Sequence, residues 1–116
     1  MAAIRRMQKG KRMSRIVVHG DTVYLSGHTA SDPVADVGDQ TRQVLALIDE
    51  RLAEAGTDRD HLLSATIWLS DIAGFEAMNA VWDDWVGAEP PARATVEARL
   101  AAPDLLVEIA VVAALP

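Results

Sequence analysis

The sequence predicts an α+β domain of order β-β-α-β-α-β-β, with a mixed sheet and both helices on one face. Three observations carry this. Short β-branched or alternating runs lie near both ends and at the middle of the chain. Two longer segments repeat apolar residues every three or four positions. Turn residues separate them all. At 116 residues the chain reads as a single domain, residues 1–116, large enough to bury a core but not to divide into two.

Ile16–Val18 is a β-branched run, and His19-Gly20-Asp21-Thr22 is a turn signal, because Gly and Asp tolerate the backbone angles that turns require. Thr22–Ser26 returns as the second strand of a hairpin. Ser31–Asp39 carries Pro33 and Gly38 and reads as a loop. Thr41, Val44, Leu45, Ile48 and Leu52 then form one helical face. Gln40, Arg42, Gln43, Asp49 and Glu50 fall mostly elsewhere on the helix surface. Gly56 suits the left-handed position that ends a helix.

Leu62–Leu69 is apolar and β-branched, as a buried strand is. A second helix runs from about Ile72 to Val86, with Phe75, Met78, Trp82 and Trp85 on one side and Ser70 or Asp71 as cap. Pro90-Pro91 forbids its continuation. Arg93–Leu100 alternates, Ala102-Pro103-Asp104 turns, and Leu106–Ala113 is apolar except for Glu108. Two strand-helix-strand crossovers of the usual hand place both helices on the same face. The other face stays bare in a monomer, although Leu106, Ala110 and Val112 on it are apolar. Such a patch marks an interface, so the sequence implies an oligomer whose sheets meet.

The net charge is −6, unevenly spread. Arg5, Arg6, Lys9, Lys11, Arg12 and Arg15 precede the first acid, Asp21, and from residue 16 onward 5 bases face 17 acids, a balance of −12. Residues 1–13 form a basic N-terminal arm. It reads as a solvated arm or first strand drawn to the protein's own acidic surface. It lacks the interleaved aromatics of a nucleic-acid site, and the acidic body repels phosphate. There is no cysteine, which excludes disulfides, thiolate metal ligands and a cysteine nucleophile. No apolar run is long enough for a membrane helix, and no secretory signal opens the chain. The expectation is a cytoplasmic protein that engages neither membrane nor nucleic acid.

No metal is expected. His19 and His61 fall in turns and read as solvated. His28 follows Ser26-Gly27 at a strand end, where it either packs or meets a ligand. No Gly-rich phosphate loop or helical histidine pair is present. Glu108 interrupts Leu-Val-Glu-Ile-Ala-Val-Val, a run that should be buried. A carboxylate there requires partners or a raised pKa. It is either half of a buried ion pair or a general base or water-positioning group. Arg93 is similarly either a salt-bridge partner or a planar fork for a ligand carboxylate. If the last two strands form a hairpin about residues 102–103, Arg93 faces Val111 or Val112 and Glu108 faces Glu97. The two would then be about 13 Å apart along the sheet. A direct pair within one chain is disfavoured, and the two are expected to converge between subunits.

Pro91-Ala92-Arg93-Ala94-Thr95-Val96-Glu97, with Glu108 fifteen residues after Arg93, resembles the reactive-intermediate deaminase (RidA/YjgF) family. Leu25-Ser26-Gly27 and Phe75-Glu76-Ala77-Met78-Asn79 extend the resemblance, which covers about Met13 to Ala114. It implies a chorismate-mutase-like fold and a homotrimer with sites at subunit interfaces. It also implies hydrolysis of enamine or imine intermediates such as 2-aminoacrylate to a 2-keto acid and ammonia, without cofactor. By the resemblance Arg93 anchors the substrate carboxylate and Glu108 positions or activates water. Gly27 and Thr95 offer main-chain contacts, and Ser26 and Asn79 line the pocket. Met13, His28 and Thr95 stand where the family usually has Tyr, Gln and Cys. The alternatives are a non-catalytic carboxylate-binding regulator, or a ribonuclease or translation inhibitor.

Overall fold

A computed structural model describes residues 2–33 and 36–116. Six strands and two helices follow in the order β1 (Ile4–Lys9), β2 (Ser14–His19), β3 (Thr22–Leu25), α1 (Val37–Ala55), β4 (Leu62–Leu69), α2 (Phe75–Val86), β5 (Ala92–Glu97) and β6 (Val107–Ala114). They build one mixed sheet of strand order β1-β2-β3-β6-β4-β5. The α+β architecture with both helices on one face is as the sequence predicts, with one strand added.

That strand is β1, the basic arm. It pairs antiparallel with β2, from Ile4 opposite His19 to Lys9 opposite Ser14. Its inward residue Met7 packs against the core. Gln8 donates to Glu54 on α1 at 2.9 Å, which ties the arm to the acidic helix. The sequence left this segment as either a solvated arm or a first strand, because an edge strand that turns only Met7 to the core shows no apolar alternation.

The larger correction concerns the C-terminal strands. β5 and β6 are not a hairpin. β4 lies between them, parallel to β5 and antiparallel to β6. Helix α2 carries the chain from β4 to β5 by a parallel crossover, which requires such a connection. The segment after β5 then crosses to the far side of β4. Residues opposite one another on neighbouring strands project from the same face, so this order decides where the polar groups point.

One face of the sheet is covered by α1 and α2. Ile16, Val18, Val23, Ile67, Leu69, Val107, Ile109, Val111 and Ala113 are buried there against Val44, Leu45, Ile48, Leu52 and Met78. The opposite face carries Tyr24, Trp68, Ala110, Val112 and Val96; Tyr24 is 47% and Val96 45% exposed. The bare apolar face expected from the sequence is present.

Helix α1 begins at Val37, inside the segment expected to be loop, because Asp36 caps it by accepting from the Asp39 amide at 3.0 Å. Gly56, at φ 91°, closes it, in the left-handed conformation that costs glycine little. Asp71 caps a short 3₁₀ turn that leads into α2.

Gln40 is not on the helix surface as expected; it is fully buried. Its side-chain nitrogen donates to the Asp104 carbonyl at 2.9 Å, and its oxygen accepts from the Leu106 amide at 2.9 Å. This amide clamps α1 to the segment that feeds β6. Gln40→Leu is expected to leave both buried backbone groups unpaired and cost about 2–4 kcal/mol, read by urea denaturation.

Candidate functional site

Arg93 stands opposite Ala65 on β4, which stands opposite Val111 on β6. All three therefore face the helices. The Arg93 guanidinium carbon lies 5.2 Å from the Trp82 ring centroid and 5.9 Å from that of Phe75, both on α2. Such stacking holds the plane of the fork by cation–π attraction and leaves its donor edges open. Arg93 forms no ion pair with any described residue. Thr95 shares its face, opposite Ile67. Asn79 is one helical turn after Phe75 on α2, a spacing that puts the two on one side. Asn79 Oδ1 and Thr95 Oγ1 are buried and have no hydrogen-bond partner among the described residues.

Glu108 stands opposite Trp68, and Trp68 opposite Val96, so all three project from the uncovered face. Arg93 and Glu108 thus lie on opposite faces of the sheet. They are separated by three positions, about 10 Å, along the strands and by two strand spacings, about 10 Å, across them. The hairpin register expected from the sequence does not hold. The expectation drawn from it, that a direct pair within one chain is disfavoured, holds on firmer ground.

Gly27 closes on Glu108. A Cβ at Gly27 would lie on a carboxylate oxygen of Glu108, 3.0 Å from its Cδ and 3.2 Å from its Cγ. Glycine leaves room for the acid in this rotamer; a larger residue would require the carboxylate to move. Ser26 precedes it, with its amide donating to the Arg15 carbonyl at 3.0 Å and its buried Oγ unpaired among the described residues. The segment is pinned to β6 by His28, whose amide and carbonyl both bond to Ile109, at 2.9 and 3.1 Å.

His28 packs rather than meeting a ligand in the open; it is 3% exposed. Its Nδ1 lies 2.7 Å from the Ser26 carbonyl. A carbonyl only accepts, so Nδ1 carries the proton and donates. Burial holds the imidazole below its usual pKa; the Ser26 bond opposes this, and the positive Arg51 and Arg15 add to the lowering. The neutral ring braces the turn that brings Gly27 to Glu108.

The predicted site residues therefore form two groups. Arg93, Thr95 and Asn79 gather with Phe75 and Trp82 on the helix side of β5. Ser26, Gly27 and Glu108 gather on and beside β6. Sequence reasoning missed Phe75 and Trp82 as the arginine's shelf, His28 as the brace and Trp68 as Glu108's neighbour. Phe75 and Trp82 had been assigned to the helix's apolar side, and their seven-residue spacing was the available signal. Among the described residues no group of histidine and acidic side chains is placed to hold a metal ion, and no helix is long and apolar enough to cross a membrane.

These features define a small mixed-sheet domain with one polar cluster at its β5 edge and another on its bare face. A sequence model of the family described as Endoribonuclease L-PSP matches residues 4–115. A RutC family protein of Haemophilus ducreyi is 39% identical over 113 residues, covering 97% of each chain. The RutC family protein YoaB of Escherichia coli is 42% identical over 110 residues, 94% of this chain and 96% of that one. The crystal structure of a YjgF-family protein from Neisseria meningitidis superposes with a TM-score of 0.95 at 42% identity, covering 98% of this chain and 96% of that one. The chain belongs to the YjgF/RidA family.

Two outcomes test the local geometry. Gly27→Ala is expected to displace the Glu108 side chain at a cost in stability of about 1 kcal/mol or less. Most of that cost should vanish in Gly27→Ala/Glu108→Ala, a coupling measurable by urea denaturation of the four proteins. For His28, a lowered folded pKa means that the unfolded chain binds the proton first. Its contribution is absent above the unfolded value of 6.5 and becomes a loss of stability as pH falls below it, by up to about 1.4 kcal/mol per pH unit. His28→Gln should flatten that part of the profile, seen by comparing denaturation at pH 7.5, 6 and 5.

Proposed function

We propose that this protein hydrolyses small enamine and imine intermediates that bear a carboxylate, such as 2-aminoacrylate and its imine tautomer, to a 2-oxo acid and ammonia. The observation that carries the reading is the division of the polar groups. An arginine with open donor edges lies on one side of the sheet, and a carboxylate seated on Gly27 lies on the other. One substrate can meet both only if one copy supplies the arginine and another the glutamate. The uncovered apolar face gives copies a surface on which to associate, and a homotrimer closes such contacts without leaving one open.

In this reading Arg93 grips the substrate carboxylate through two parallel hydrogen bonds. Asn79 and Thr95, whose buried oxygens are unpaired among the described residues, border that end. Glu108 orients water and takes up its proton as the water oxygen bonds to the imine carbon. The resulting carbinolamine then loses ammonia: the acid returns its proton to nitrogen, the C–N bond breaks, and the carbonyl forms as the hydroxyl proton passes to the freed carboxylate and on to the departing ammonia. A protonated imine is already electrophilic, so orientation and charge complementarity supply the acceleration. The family's endoribonuclease description finds less support here. From residue 16 onward the body carries 5 bases against 17 acids, a field that repels a phosphodiester backbone.

Arg93→Ala is expected to lower kcat/KM for freshly generated 2-aminoacrylate by about 100-fold or more, the loss of a charge-assisted bidentate contact. Light scattering would show whether the assembly persists. Unchanged turnover with an intact assembly would make Arg93 a structural residue. Carboxylate binding without faster keto-acid release in the unaltered protein would make the site a binding site alone.

A further inference from the structure

Beside Glu108 lies a cavity of about 250 Å³ walled by Trp68, Leu100 and Arg99. The loop 98–101 also walls an adjoining hollow of about 590 Å³, which reaches Ser70 and Leu105. Arg99 is the only cation among the described residues lining either space. It makes no hydrogen bond or ion pair with any described residue. The neighbouring acid Glu97 is otherwise engaged, accepting from the Ile72 amide at 2.9 Å. A second guanidinium thus stands on the same chain, and in the same cavity, as the proposed water-positioning carboxylate. Arg93 is on the opposite face.

We propose that Arg99 is a specificity-determining residue that binds a second, distal carboxylate, so that the preferred substrates are 2-imino dicarboxylates of four or five carbons. The inference rests on the deaminase reading. A three-carbon imine between Arg93 of one copy and Glu108 of another leaves the Trp68–Arg99 space unfilled. A carboxymethyl or carboxyethyl extension fills it and ends on the guanidinium fork. Local charge matters because the body from residue 16 onward carries a balance of −12. That field disfavours a dianion unless a cation meets each carboxylate. The reaction is unchanged: water adds to the imine carbon, ammonia leaves, and a 2-oxo dicarboxylate results.

The test compares 2-iminosuccinate with 2-iminopropanoate, each generated in situ by an amino-acid oxidase, in the unaltered protein and in Arg99→Gln. The unaltered protein should favour the dicarboxylate, and Arg99→Gln should lower the ratio of the two kcat/KM values by about 10- to 100-fold, as expected for loss of a charge-assisted bond. An equal loss on both substrates, or no preference at the outset, would overturn the proposal. Calorimetric binding of succinate and propionate reads the same selectivity without turnover. Succinate should bind more tightly, and Arg99→Gln should erase the difference. If neither imine is hydrolysed but the succinate preference appears and is lost in Arg99→Gln, the deaminase reading fails and the anion site stands. If both imines are hydrolysed and the preference survives the substitution, the reverse holds.

Discussion

β4 is hydrogen-bonded to β5 along one edge and to β6 along the other, and the pleat leaves no freedom thereafter. Arg93 is in register with Ala65, and Glu108 with Trp68. Ala65 and Trp68 are an odd number of positions apart, so they point to opposite faces. A one-residue slip of either strand would turn its core residues to solvent. The buried row Ala65, Ile67, Leu69 and the buried row Val107, Ile109, Val111 fix the β4–β6 register and so the face from which Glu108 projects, while the β4–β5 ladder sets that of Arg93. Burial of apolar side chains thereby decides the placement of the polar ones.

The supports around each group are of different kinds. Arg93 rests on aromatic rings from α2, whose own burial against α1 sets their position. Glu108 depends on absence of bulk at Gly27. That glycine is held by the His28 backbone bonds to Ile109 and the ring's bond to the Ser26 carbonyl. Gln40 secures the approach to β6 from the other side. Each support acts on backbone or on a rigid ring, so each polar group is positioned before any ligand arrives, which is where orientation contributes most to rate.

The helices, five of the six strands and the residues Arg93 and Glu108 were legible because each broke or kept a pattern visible over a few positions. An arginine at a strand mouth and an acid in an apolar run are local anomalies. Strand order is not local. The alternation of β5 and β6 is compatible with a hairpin or with insertion of β4, and nothing in either strand distinguishes them. The face assignment that depends on strand order was therefore out of reach, although the expectation that Arg93 and Glu108 do not pair directly within one chain survived the error. Gln40 was hidden for another reason. Its spacing to Val44 and Ile48 places it on the buried face, but polarity argued for the surface. What settles it is a pair of backbone groups 64 and 66 residues away. β1 stayed open between a solvated arm and a first strand, since an exposed edge strand needs no apolar alternation.

The acidity of the body bears on how such a site selects its ligand. A field of one sign along most of the chain lowers the local concentration of every anion, so general attraction contributes nothing to binding a carboxylate. Affinity has to come from short-range contacts, where a planar fork held on two rings outperforms a mobile point charge. The basic residues that could have supplied general attraction are concentrated in β1 and the β1–β2 turn, at the opposite edge of the sheet from β5. An anion that binds beside Arg93 or Arg99 therefore does so by matching their geometry, which favours selection by shape and number of carboxylates over selection by charge alone.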